Sequence, residues 1–116
     1  MLKLREGIKV YLNANRTDLR KSIDGLTALI VDHFEMPPTT GNVFIFFNKL
    51  KNKVKLLFWD ANGFAIYYKR IEKGRFKIKE GKEDLEITES QLNWLLAGLD
   101  FVLMHKFPEL NFDNFY

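Results

Sequence analysis

Apolar residues in this chain change period several times, and each change predicts an element. Between Ile8 and Leu12, the residues Ile8, Val10 and Leu12 alternate with Lys9 and Tyr11, the period-two pattern of a short half-buried strand. Asn13 to Arg16 breaks that pattern. Leu19, Ile23, Leu26, Ile30 and Phe34 then recur at spacings of three or four, which predicts a helix over 18–34, capped by Thr17 or Asp18 and ended before Pro37-Pro38. Val43 to Phe47 is an uninterrupted apolar run, as in a central strand, and Asn48 to Asn52 reads as a polar turn into a strand from Lys53 to Trp59.

The chain reverses at Asp60-Ala61-Asn62-Gly63. Asp60 and Gly63 are the turn-shaping residues if the turn is type I closed by a Gly bulge, whereas Asn62-Gly63 alone suits a type I′ turn. Phe64 to Arg70 is the returning strand, and Arg75 to Lys79, alternating basic residues with Phe76 and Ile78, predicts one more. After an acidic loop from Glu80 to Asp84, Thr88 and Gln91 form a capping-box pattern with Ile87 and Leu92 as a hydrophobic staple. Leu92, Leu95, Leu96, Leu99 and Leu103 continue as the apolar stripe of a C-terminal helix. The expected fold is a single α+β domain over 1–116: a largely antiparallel β-meander sheet with an N-terminal-half helix and a C-terminal helix packed on it. Only the aromatic tail from about 104 to 116, with Phe107, Phe112, Phe115 and Tyr116, fits no regular pattern.

Composition narrows the function classes. With no Cys, disulfides, thiolate metal sites and cysteine nucleophiles are excluded, and His33 and His105 are the only imidazoles. Charged residues throughout MLKLREGIKVYL leave no apolar stretch for a signal peptide or a spanning helix, so a cytoplasmic protein without membrane association is expected. The net charge of +3 conceals a regional imbalance. Residues 49–79 hold ten basic residues against Asp60 and Glu72, while residues 80–116 hold Lys82 and Lys106 against eight acids, a bipolar arrangement.

Cationic side chains beside aromatic ones suit nucleic acid, because Lys and Arg displace phosphate counterions and rings stack on unpaired bases. Lys55, Lys69, Arg70, Lys73 and Arg75 in and after the hairpin, with Arg20 and Lys21 at the start of the first helix, are the candidate DNA contacts. The plainer reading of the same residues is a solvated basic sheet over an aromatic core. Convergence of Lys55, Lys69, Arg70 and Arg75 on one exposed face would favour binding, and scatter would favour the plain reading. Around Arg16 to Gly25, a helix N-terminus with Thr17 and Ser22 could receive a phosphate, although helix caps and surface ion pairs account for the same residues. Asp18, Asp24 and Asp60 would have to converge to hold catalytic metal ions, and their turn and cap positions argue against it. His33 lacks a second imidazole at i+4, and no Ser lies in an elbow motif, so neither an enzyme nor a cofactor is expected. Trp94 reads as core.

Two long strings resemble a known family. Val10-Tyr11-Leu12, Thr17 through Leu26, and Lys55 through Phe76 (with Trp59-Asp60, Gly63-Phe64, Tyr68-Lys69-Arg70 and Glu72 to Phe76) are similar in order and spacing to the TnpB accessory proteins of bacterial insertion sequences of the IS sixty-six family. Thr88-x-x-Gln91-Leu92 and Leu95-x-x-Gly98 resemble that family's final helix, so the likeness runs to about Phe101. Leu19 stands where Met is common, Ile23 where Phe is common, and Ala61-Asn62 in a turn often richer in Gly and Asp. The resemblance implies a small non-catalytic protein that assists transposition beside a separate, larger transposase. It is distinct from the much longer RNA-guided nucleases sharing the TnpB name, whose catalytic carboxylates and zinc-binding Cys have no counterpart in this sequence. DNA at the element ends, the transposase and another accessory protein of the same element are the implied partners. An adaptor that binds the transposase through aromatic residues without touching DNA is the alternative.

Overall fold

A computed structural model describes residues 2–106, so the aromatic positions Phe107, Phe112, Phe115 and Tyr116 lie outside the described residues. Five strands form one sheet: β1 (Val10–Leu12), β2 (Val43–Phe47), β3 (Lys53–Asp60), β4 (Gly63–Arg70) and β5 (Leu85–Ile87). Their order is β4-β3-β2-β1-β5. The meander β2-β3-β4 is antiparallel, as the sequence implies, and β5 pairs antiparallel with β1. β1 and β2, however, run parallel. A helix separates them in sequence, and a helical crossover is what allows consecutive strands to point the same way.

That crossover begins later than its apolar spacing suggests. α1 spans Ile23–Leu29 and continues as a π-helical turn over Ile30–Phe34, with Ser22 at the N-cap. Neither Thr17 nor Asp18 caps it, because both are engaged elsewhere. The Thr17 N–H donates to the Phe47 carbonyl at 2.8 Å, its hydroxyl accepts from the Asn13 amide, and the Asp18 carboxylate accepts the Arg20 N–H. Leu19 still fits the helical spacing because it is buried with Leu26, Ile30 and Phe34. Glu35, with φ of 55°, ends the helix ahead of the prolines.

α1 covers one sheet face, over Phe44, Phe46 and Leu57. The opposite face, carrying Val10, Leu12, Ile45, Phe47, Val54 and Leu56, is covered by α2 (Glu89–Leu96) together with Phe76 and Ile78. β2 therefore lies inside three layers, with all five residues buried, which is why its sequence is apolar without alternation. The segment Arg75–Lys79 is not a strand. Phe76 and Ile78 are buried and their neighbours exposed, as a strand would have them, but the segment crosses beneath the sheet, with the Phe76 N–H donating to the Lys51 carbonyl. Periodicity reports a two-sided environment and not a ladder.

The capping box of α2 forms as expected. The Thr88 hydroxyl accepts the Gln91 N–H at 3.1 Å and the Gln91 side chain accepts the Thr88 N–H at 2.8 Å, with Ile87 and Leu92 buried as the staple. Thr88→Ala is expected to lower the unfolding free energy by about 1 kcal/mol, read from the midpoint of urea denaturation at constant slope. The helix does not run on through Leu99 and Leu103. Gly98, at φ of 80°, closes a Schellman motif in which the Gly98 N–H donates to Leu95 and the Leu99 N–H to Trp94. Leu99 and Leu103 are accordingly exposed, and a separate α3 (Val102–Lys106) runs from the end of the expected helix stripe into the first positions of the tail that read as irregular, 104–106.

The hairpin turn also differs from expectation. Asp60 pairs with Gly63 across a two-residue loop, and the left-handed residue is Ala61, at φ of 54°. Gly63 is the first residue of β4 and does not supply the positive φ, while the Asp60 carboxylate faces Arg5 at 3.8 Å. The acidic segment is no detached pole: Glu80 accepts the Arg16 N–H, and Asp84 accepts the Ala14 N–H and pairs with His33 at 2.9 Å.

Candidate nucleic-acid interface

The turn between β2 and β3 is held by two asparagines. The Asn48 side-chain oxygen accepts the N–H groups of Asn52 and Lys53, its amide donates to the Asn52 side chain at 2.7 Å, and its carbonyl accepts the Lys51 N–H. Lys51 takes a left-handed conformation, with φ of 57°, to complete the turn. Lys49 and Leu50 are left at an exposed tip. Beside it runs the segment after β1, which stays against β2 through Asn13 N–H to Ile45 and Thr17 N–H to Phe47. Two sequence-distant basic stretches are thereby brought to one place.

Between them opens a cleft of about 730 Å³ whose walls include Arg16, Arg20, Lys49, Lys53, Lys55 and Tyr68. Lys53 and Lys55 reach the same sheet face because they are two residues apart on β3, and the register sets Tyr68 opposite Lys55 on that face. The Lys55 ammonium lies 6.0 Å from the centre of the Tyr68 ring and donates to the Lys21 carbonyl at 3.2 Å. Tyr68 itself is half exposed. Arg16 pairs with Glu80 and Arg20 with Asp18. Among the described residues, Lys49, Lys53 and Lys55 have no carboxylate partner within ion-pair distance.

Asp18 is the one acid in the cleft wall. The Arg20 guanidinium, followed by the Arg20 backbone N–H, holds its carboxyl well below the usual carboxylate range, and the same contact raises Arg20. A depressed carboxylate supports folding above its unfolded titration range and loses that support as pH falls through its folded value. The Asp18 side chain is about half exposed, so solvent screens the pair and any effect on stability is small. Arg20→Gln is expected to raise Asp18 towards the ordinary carboxylate range without fully restoring it, because the backbone N–H at position 20 still donates to the carboxylate, read by a carboxyl-carbon NMR titration.

The seven sequence candidates do not converge, and for Lys55, Lys69, Arg70 and Arg75 this scatter favours the plain reading of a solvated basic sheet. Arg20 and Lys55 line the cleft. Arg70 shares the sheet face of Lys55 but forms a two-pronged pair with Glu72 at the strand end, which keeps its guanidinium occupied. Lys69 points to the opposite face, where its ammonium donates at 2.7 Å to the Leu96 carbonyl at the end of α2. Arg75 borders a separate groove with Lys51, Lys77 and Lys79 beside α3. Lys21 and Lys73 are exposed and line neither. Odd and even residues of a strand face opposite ways, so neighbouring cations in sequence cannot all meet one ligand.

Arg16, Lys49, Lys53 and Tyr68 were outside the candidate set. For Lys49 and Lys53 the signal in the sequence is the Asn48-x-x-x-Asn52 bracket, which marks a stapled turn presenting lysines, and Arg16 entered only through the phosphate reading of the helix start. Among the described residues, no group of three or more His, Asp or Glu side chains is placed to hold a metal ion, and no helix is long and apolar enough to cross a membrane.

A family model described as IS66 Orf2 like protein matches residues 8–106. Two curated proteins of Sinorhizobium fredii (strain NBRC 101917 / NGR234) are similar over most of their length. "Uncharacterized protein y4jC" is 26% identical over 111 residues, 93% of each chain. "Uncharacterized protein y4hO" is 26% identical over 102 residues, 87% of this chain and 89% of that protein. No solved structure matches significantly.

Proposed function

The chain belongs to the IS66 Orf2-like family and so has an accessory part in the transposition of an insertion sequence, and from that premise we propose that it grips the DNA backbone in the cleft between Arg16-Arg20 and the β2–β3 turn. The observation that carries the reading is the trio Lys49, Lys53 and Lys55, three ammonium groups without carboxylate partners on the walls of one open cleft. A phosphate is the ligand that such a group of point charges accepts with little geometric demand. Tyr68 adds a flat ring on the same wall, suited to lie against a sugar or an unpaired base. The protein acts without catalysis, by holding DNA for the transposase.

Fluorescence anisotropy with duplex from the element ends tests this. Three phosphate contacts predict that affinity falls about 40-fold between roughly 50 and 200 mM salt. Lys73→Gln/Arg75→Gln, away from the cleft, should leave binding within a few-fold of the parent. No binding at the lowest salt, with the transposase still retained after nuclease treatment, would replace this reading with that of a protein adaptor.

A further inference from the structure

We propose that the outer edge of β4, which pairs with no other strand among the described residues, is where a second copy of this chain adds its own β4, antiparallel, joining two five-stranded sheets into one. This goes beyond DNA contact and does not depend on it.

The ladder decides which backbone groups are free. β3 and β4 pair without interruption from Asp60↔Gly63 to Lys53↔Arg70, and alternate residues of a strand direct their N–H and C=O to the same side. The Ile71 N–H donates to Asn52 at 2.9 Å, so the odd-numbered residues face β3. Phe64, Ile66, Tyr68 and Arg70 therefore turn their amides and carbonyls outward, at the edge of the sheet.

Sheet edges are normally blunted by shortness, proline, bulges or charge. β5, the other edge, is three residues long and carries exposed Glu86 at its centre. β4 is eight residues long, contains no proline, is unbulged against β3 and has no charge before Lys69. Phe64 and Ile66 remain only half-buried, and Tyr68 is 49% exposed, on the side chains that flank this edge.

A second copy fits because the strand complements itself about Ile66. Antiparallel pairing sets Ile66 against its own equivalent and Phe64 against Tyr68 of the second copy, an aromatic pair repeated on both sides of the axis. Arg70, already paired with Glu72, then lies opposite the uncharged Asn62 of the second copy, whereas parallel addition would stack Lys69 and Arg70 on their equivalents. A twofold axis of this kind stands perpendicular to the sheet, so both α1 layers and both basic clefts come to the same side.

Sedimentation of the intact chain, with amide hydrogen exchange by NMR on dilute and concentrated samples, tests the arrangement. The expected result is a dimer at high concentration, with slowed exchange at Phe64, Ile66, Tyr68 and Arg70 and little change at Ala65, Tyr67 and Lys69, already bonded to β3. Ile66→Pro removes an outward N–H that β3 does not use, together with part of the Ile66 packing on the α1 side, and should sediment as a monomer at concentrations where the parent dimerises. A parent that stays monomeric, or a dimer whose added protection falls outside the even-numbered residues of β4, overturns the proposal. Should the proline variant not fold, the exchange pattern of the parent decides alone.

Discussion

Replacing Lys49 and Lys53 together by Gln is expected to weaken DNA binding about 200-fold at roughly 50 mM salt and to lower the salt slope by about 1.8. Each neutralised phosphate contributes about 0.9 to that slope, which over the interval from 1 M to roughly 50 mM amounts to slightly more than one decade of affinity per contact. Two lost contacts give the product. These two lysines are the sharpest choice because neither ammonium has a carboxylate to release and neither makes a described side-chain hydrogen bond, so the change removes charge and little else. Circular dichroism and thermal unfolding should therefore match the parent. If affinity changes less than threefold, or falls without a change in slope, the cleft is not where phosphate is held. Anisotropy titrations over a series of salt concentrations supply both quantities.

Phe46→Ala is expected to cost 3–5 kcal/mol in unfolding free energy, measured by urea denaturation. Phe46 is fully buried on the α1 face, with its ring 6.3 Å from Phe34, which in turn lies 5.0 Å edge-on from Phe44. Truncation removes a large ring from a strand covered on both sides, and the sheet cannot close the gap without moving α1. Against a typical domain stability of about 5–15 kcal/mol, the variant retains only part of its margin, and at the lower end it unfolds. Leu50→Ala is the matched control, because Leu50 is 57% exposed at the turn tip and should change stability by less than about 0.5 kcal/mol. Phe46 is also the register partner of Lys55, so loss of packing there would loosen one wall of the cleft. Binding by Phe46→Ala should accordingly recover at low temperature, where the domain refolds, whereas the double Gln variant should not recover.

The sequence by itself determined the elements that local chemistry sets. The unbroken apolar run at Val43–Phe47 announced a strand covered on both faces, and Thr88 with Gln91 announced a helix start, since a cap acts over three residues. The α+β composition and the antiparallel meander followed from strand-length runs separated by turn residues. Tertiary structure alone decided everything that depends on non-local hydrogen bonds. Thr17 looked like a helix cap until the Phe47 carbonyl claimed its N–H, and Arg75–Lys79 looked like a strand although it packs Phe76 and Ile78 into the core without joining the sheet. For the site, charge counting found the basic region but not its focus. Lys69 and Arg70 are adjacent in sequence and face opposite sides of the sheet, while Arg16 and Lys53 are far apart in sequence and share one cleft. Strand alternation separates neighbours, and the parallel β1–β2 crossover joins distant segments. Which charges meet is thus a property of register and topology, which no local pattern encodes.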